Sequence, residues 1–221
     1  MATTADYLSQ LQTDKQALVD NLVEKGVEAT NNETFTSLVP KVLNIQSGDA
    51  ELEASYKSLI DETLGANVTK LPQGIKIIGN YAFYRRTNLV LKELPETLTD
   101  IYGYAFERCP NLTIKSLPVG ITQILTSVFS NCTGITEMTC YGAITEIHSQ
   151  CFANTSLAKF VLPNISSVPK LHSYGAFNGT PIANGTGYIY VPDNLVDSFK
   201  SASNWSRFAS VILPISQMPI A

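Results

Sequence analysis

The sequence predicts an α/β repeat solenoid: a stack of about five 23-residue coils with short strands, preceded by a helical segment and closed by a C-terminal cap. Three observations predict it. Phenylalanines stand at Phe83, Phe106, Phe129 and Phe152, 23 residues apart, and Phe177 follows after 25. Aliphatic residues keep fixed distances from them, with Ile78, Ile101, Ile124 and Ile147 five residues before and Ile75, Leu98, Ile121 and Ile144 eight before. A Leu-Pro pair comes eleven residues after the first two, at Leu94-Pro95 and Leu117-Pro118, and decays to Cys140-Tyr141 after the third. A unit of this length cannot bury its own apolar face, so each coil must stack on the next and line up equivalent side chains in ladders.

The elements follow in chain order. Residues 1–48 do not repeat. Leu8, Leu11, Leu18, Val19, Leu22 and Val23 form a stripe at helical spacing, and Gly26 stands where a glycine would end that helix. A second short helix is expected around Phe35 to Ile45. The pair reads either as a hairpin packed on itself or as an anchor for self-association or docking. Residues 49–65 read as a capping helix with Asp49 at its N-cap, Leu52, Tyr56, Leu59 and Ile60 on one face, and Gly65 after it. Such a cap covers the open edge of the first coil, because exposed edges aggregate.

Residues 66–192 carry the repeats. Leu89-Val90-Leu91 and Leu112-Thr113-Ile114 look like short strands of one sheet, and each Leu-Pro marks a turn, since proline ends ladder pairing. Lys92 and Lys115 fall in a slot that later holds Met138 and Phe160, so the register is expected to slip by one in the first two coils. Extra residues within "SSVPKLHSYG" should protrude or distort the stack. Residues 193–221 form the C-terminal cap, with Leu195, Phe199, Trp205, Phe208 and Val211 able to fold over the last coil. Trp205 reads as a seal on the core, with a ligand platform as the alternative.

The recurring pattern of Leu-Pro, Ile, Ala-Phe, Cys and Asn-Leu resembles the BspA-type leucine-rich repeat over about residues 66 to 192. That resemblance implies a right-handed leucine-rich repeat stack with a short-stranded sheet on one face and irregular or helical backs. It also implies binding rather than catalysis. The stretch "TADYLSQLQTDKQALVDNLVEKGVEATNNETFTSLVPKVLNI" resembles N-terminal segments of phage and prophage tail-associated proteins of Gram-positive bacteria.

Composition removes several classes of function. A net charge of -4 and a pI near 5.2 argue against nucleic acid, because phosphate binding needs a clustered basic surface. No apolar run approaches the ~20 residues of a membrane helix, so no membrane insertion is expected. The start lacks a charged region followed by an apolar core, so no Sec signal peptide is expected either. The chain is accordingly placed on a virion, outside the cell after lysis, or in the cytoplasm, with the cell surface by a non-Sec route as the alternative.

Catalytic motifs are missing: there is no Gly-x-Gly-x-x-Gly, Walker loop, His-Glu-x-x-His or Gly-x-Ser-x-Gly. No enzymatic activity, cofactor or metal is expected. The two histidines, His148 and His172, lie near matching turns of consecutive coils and read as solvated turn residues, since further ligands cannot be named. Cys109 and Cys132 each stand three residues after a ladder phenylalanine. They are expected as reduced, buried ladder residues alongside Phe83, Phe106, Phe129, Phe152, Phe177, Leu94 and Leu117, with a disulfide as the alternative. Sequons such as those at Asn111, Asn131 and Asn154 read as by-products of turns rich in Asn and Thr.

Surfaces remain. Tyr81 and Tyr104 share a slot in adjacent coils, Tyr84 and Tyr102 are close by, Arg85 and Arg86 flank the first turn, and Lys92 and Lys115 stack on the next face. Rings beside cations suit sugar faces or peptide groups, although tyrosines that shield coil joints and charges that keep the protein in solution would look the same. The expected function is non-enzymatic recognition of a protein or glycan on a cell surface, as a phage or prophage tail-associated component. The alternative is a bacterial surface or secreted adhesin. Self-association through the N-terminal helices would accompany the first.

Overall fold

A computed structural model describes residues 15–17, 19–20, 22–23, 28–30, 32, 70–71 and 74–219. The chain divides into two compact units, Met1–Gly65 and Ala66–Ala221, and each is considered by itself. In the first unit, residues 15–17, 19–20 and 22–23 are helical. Of the expected stripe, Val19 and Leu22 are buried while Val23 is exposed, and Gln16 Nε2 donates to Asp20 Oδ1 one turn on at 2.7 Å. Leu8, Leu11 and Leu18, and the helices expected around residues 35–45 and 49–64, lie outside the described residues.

The second unit is a stack of repeats joined by parallel strand pairs. Strands β1 (Ile77–Ile78) and β2 (Asp100–Ile101) pair with each other. Strands β4 (Gln123–Ile124), β6 (Glu146–Ile147) and β8 (Lys170–Leu171) form a three-stranded sheet. A five-stranded sheet runs β3 (Ser116–Leu117), β5 (Glu137–Cys140), β7 (Lys159–Val161), β9 (Tyr188–Val191) and β10 (Ile212–Pro214). Each strand is two to four residues long, and β5 alternates between the interior and a half-buried face along its length.

The ladder core lies between these strands. Phe83, Phe106, Phe129, Phe152 and Phe177 are all buried, and successive rings stand 5.1, 5.6, 5.5 and 5.9 Å apart at interplanar angles of 5°, 9°, 14° and 10°. The residue before each phenylalanine is small (Ala82, Ala105, Val128, Cys151, Ala176) and leaves room for the stacked rings. The isoleucine and leucine slots at five and eight residues before each of the first four rings are buried as well. Phe160 closes one side of the column, 5.4 Å from both Phe152 and Phe177. Beyond the last ring, Phe208 meets Phe177 edge-on at 5.4 Å, and Trp205 stands 6.2 Å from Phe177 and 4.9 Å from Phe199. Trp205 Nε1 donates to the Pro169 carbonyl at 2.8 Å, so its one polar atom is satisfied inside the core.

The backbone around each of the first four phenylalanines obeys a rule of its own. Residues two before and two after it lie in the left-handed region: Tyr81 and Arg85, Tyr104 and Arg108, Ser127 and Asn131, Gln150 and Asn154. None is a glycine, and an L-residue there costs ~1–2 kcal/mol. The alternation aims the N–H groups of alternate residues along the stack. Tyr104, Phe106 and Arg108 donate to the carbonyls of Thr126, Val128 and Ser130 at 3.0, 3.0 and 2.8 Å, and the neighbouring turns repeat the set. Hydrogen bonds to the next coil offset the strain and carry ladder pairing through a turn that has no strand.

Side chains extend the same logic. Cys109 and Cys132 are free, and their thiols donate to the Phe83 and Phe106 carbonyls one coil back, at 2.8 and 2.9 Å. Burial pushes Cys109 up to about 12 and raises Cys132, Cys140 and Cys151 as well, so all four thiols stay protonated and unreactive in the folded state. Ser156 Oγ and Asn164 Nδ2 bond the Thr133 and Tyr141 carbonyls, each 23 residues back, and Asn111 Nδ2 bonds Thr87. These bonds account for the Asn- and Thr-rich turns.

Two expectations need correction. Leu89–Leu91 and Leu112–Ile114 are not strands; one ladder bond, Thr113 N–H to the Leu91 carbonyl at 3.0 Å, joins them, and β3 begins at Ser116. Ile114 and Leu117 are both buried with exposed Lys115 between them, a spacing of three that no extended strand can direct to one face. The backs of the repeats are turns, the irregular form of the two expected, and among the described residues of the second unit α-helix occurs at Val196–Ser201. The extra residues before Phe177 are absorbed in two places. One falls between β6 and β8, whose pairing of Ile147 with Leu171 spans 24 residues, and one falls in the 3-10 turn Tyr174–Phe177 capped by Ser173.

Phe106→Ala should lower unfolding free energy by ~3–5 kcal/mol, because rings on both sides lose their neighbour; a loss under ~1 kcal/mol in urea titration would contradict the ladder. Gln150 is exposed at a φ of 58°, so its substitutions isolate the turn conformation. Gln150→Gly should stabilise by up to ~1 kcal/mol, and Gln150→Val should destabilise by ~1 kcal/mol or more. Equal stability of the two variants would dismiss the strained-turn account.

Candidate functional site

The left-handed slot two residues before the first four phenylalanines leaves Tyr81 and Gln150 exposed and Tyr104 half-buried while Ser127 is buried, and in the first two coils that slot holds tyrosine. Tyr81 and Tyr104 stack with ring centroids 4.9 Å apart and planes within 7°. Tyr84 meets Tyr81 edge-on at 5.6 Å, and the Arg85 guanidinium lies 5.0 Å above the Tyr84 ring. Tyr81 keeps 41% of its surface exposed; Tyr84 and Tyr104 are half-buried. The result is an aromatic patch with a cation at its margin. Because the same backbone recurs at Ser127 and Gln150, the strain belongs to the fold, and only the choice of residue sets this patch apart.

The other candidates differ in burial and surroundings. Arg86 is half-buried, and burial lowers its pKa, with the neighbouring Cys109 opposing the shift. Tyr102 is half-buried and follows β2 directly. Lys92 is exposed past Leu91. Lys115 directly precedes β3 of the five-stranded sheet, and its Nζ lies 2.8 Å from Glu137 Oε1 while Lys159 Nζ lies 2.6 Å from Glu137 Oε2. One carboxylate thus bridges lysines of the coils before and after it. Hydrogen bonds from Lys115 and then Lys159 hold the Glu137 carboxyl below its usual range.

The histidines behave differently from solvated turn residues. His148 and His172 stack at 4.1 Å, and both Nε2 atoms approach Glu146 Oε2, at 3.2 and 2.9 Å. Glu146 stands two residues before His148 on the same strand face, and that alternation was the available signal. The His172 hydrogen bond is the main cause that keeps the Glu146 carboxyl below its usual range. Among the described residues, no helix is long and apolar enough to cross a membrane.

A family model described as a BspA type leucine rich repeat region matches residues 62–182 in six copies. No curated protein shows significant similarity to the chain. Among solved structures, a leucine rich cell surface protein from Faecalibacterium prausnitzii A2-165 is 23% identical at a TM-score of 0.47, covering 57% of this chain and 32% of its own. The family match starts beyond residues 1–48, and the likeness of that segment to tail-associated proteins gains no support from these comparisons.

The lysine–glutamate–lysine ladder has a defined pH signature. The folded-state pKa of Glu137 lies below its unfolded value, so its stabilisation is complete above about pH 5 and is lost as pH falls through the carboxylate range. Glu137→Gln should therefore cost under ~1 kcal/mol near neutrality, and the difference from wild type should shrink on acidification. A difference that stays constant down to about pH 3 would assign the loss to packing instead.

Proposed function

The chain belongs to the BspA-type leucine-rich repeat family, and from that premise we propose that it is a non-enzymatic recognition protein for a protein or glycan on a cell surface. We read its stack as a right-handed solenoid that displays variable residues on invariant turns. The observation that carries the functional reading is the paired Tyr81 and Tyr104 rings with Arg85 over Tyr84. Tyrosine and arginine dominate binding hot spots because each brings broad contact area together with a polar or charged tip. Stacking also holds the two rings in place before a partner arrives, which lowers the entropy lost on binding.

A cell-surface partner fits the repetitive display, since repeats present equivalent groups at a spacing set by the fold. The partner's source, bacterial envelope or host tissue, is left to the experiment. The fluorescently labelled full chain is incubated with a panel of Gram-positive bacteria and with epithelial cells. Saturable binding to one of them is expected, with at least a roughly tenfold loss in a Tyr81→Ala/Tyr104→Ala variant, equivalent to ~1.4 kcal/mol. Binding that the double variant leaves intact would remove the patch from the account, and binding to neither cell type would remove the recognition reading itself.

A further inference from the structure

Away from the aromatic patch, three side chains of metal-ligand type converge. Glu146 and His148 flank the buried Ile147, so strand alternation turns both outward. His172 holds the same slot one coil further on, directly after Leu171, whose pairing with Ile147 brings the imidazoles face to face. One donor atom from each residue lies within 4.8 Å of the other two. We propose that Glu146, His148 and His172 form a binding site for a divalent transition metal of the zinc class, with a fourth coordination position open to water or to a partner's donor.

The distances support this set. Zinc binds imidazole nitrogen and carboxylate oxygen at ~2.0–2.2 Å, and a tetrahedron of such bonds places its ligand atoms ~3.3–3.4 Å apart. Two of the three edges already measure 3.2 and 2.9 Å, from His148 and His172 to the same Glu146 oxygen. An ion therefore replaces two hydrogen bonds and widens those two edges by a few tenths of an ångström, while the third lies within 4.8 Å. The stacked rings must also open towards a common point, a change the broad χ2 torsion of histidine allows.

Donor chemistry narrows the choice of ion. Two imidazoles and one carboxylate suit zinc and its transition-metal neighbours, whereas calcium and magnesium call for all-oxygen shells. The carboxylate supplies one negative charge. Lys170, paired in register with Glu146, is the cation that works against the site. The three side chains are 34%, 26% and 27% exposed, which gives an ion access from solvent. His172 also lines a cleft of about 340 Å³ with Asn204 and Trp205, so space for a further donor lies beside it. The fold fixes this geometry: pairing between β6 and β8 sets the separation of the histidines, and Asn204 Nδ2 anchors the Leu171 carbonyl at 2.7 Å.

The test uses the untagged full chain, with zinc ion titrated against a chromophoric chelator. One equivalent of saturable binding is expected near neutral pH. Glu146→Gln and His172→Gln should each weaken it by roughly tenfold or more while circular dichroism stays unchanged. Excess calcium should not displace zinc. Cobalt should give a weak visible spectrum of nitrogen and oxygen ligation, without the intense thiolate bands that cysteine binding would produce. No saturable uptake by the folded chain, or uptake undiminished in both variants, overturns the proposal.

Discussion

Each coil is half of a core. The ring of Phe106 completes its packing only with its neighbours: its faces are covered by Phe83 on one side and Phe129 on the other. Backbone pairing repeats at roughly 4.8 Å, while parallel rings settle slightly further apart, and the observed 5.1 to 5.9 Å reflects that compromise. The ladder must also end somewhere. It ends where Trp205 and Phe208 meet Phe177 at an angle, because a tilted or edge-on ring offers no flat face for a further copy to continue the stack.

What could be read from the sequence follows from this constraint. Buried ladder slots accept few residue types, so Phe83, Ile78, Leu98 and Cys109 announced their positions through recurrence. The left-handed slots did not, although they are equally periodic. Tyr81, Tyr104, Ser127 and Gln150 share a conformation and no chemistry, because the requirement is met by hydrogen bonds along the stack and not by glycine. The strands were misplaced for a related reason. Leu89-Val90-Leu91 has the right composition for a strand, but Pro95 and exposed Lys92 and Glu93 leave too few alternating residues for a ladder there. Glu146 escaped notice because a lone carboxylate gains meaning only beside His172, 26 residues away.

The same constraint shapes both candidate sites. Equivalent slots repeat outside the core as well as inside it, so any two outward residues one period apart become neighbours. The slot after the buried aliphatic residue runs Gly79, Tyr102, Leu125, His148 and His172, of which Gly79 is buried, and the slot two before the phenylalanine runs Tyr81, Tyr104, Ser127 and Gln150, of which Ser127 is buried. A single substitution in such a column creates a pair rather than an isolated group. Tyr81 with Tyr104 and His148 with His172 are two such pairs, and the backbone already provides the spacing each needs.

This separation of roles predicts where change is tolerated. Replacing an outward residue alters a pair without touching the column of rings, so recognition can vary at little cost in stability. Replacing an inward residue disturbs three coils at once: its own and one on each side. The lysines around Glu137 show the intermediate case, in which an exposed column contributes modestly to cohesion because opposite charges alternate along it. A fold of this kind holds its surface chemistry in register through its interior, and among the described residues that register gathers the stacked histidines and Glu146 into one cluster.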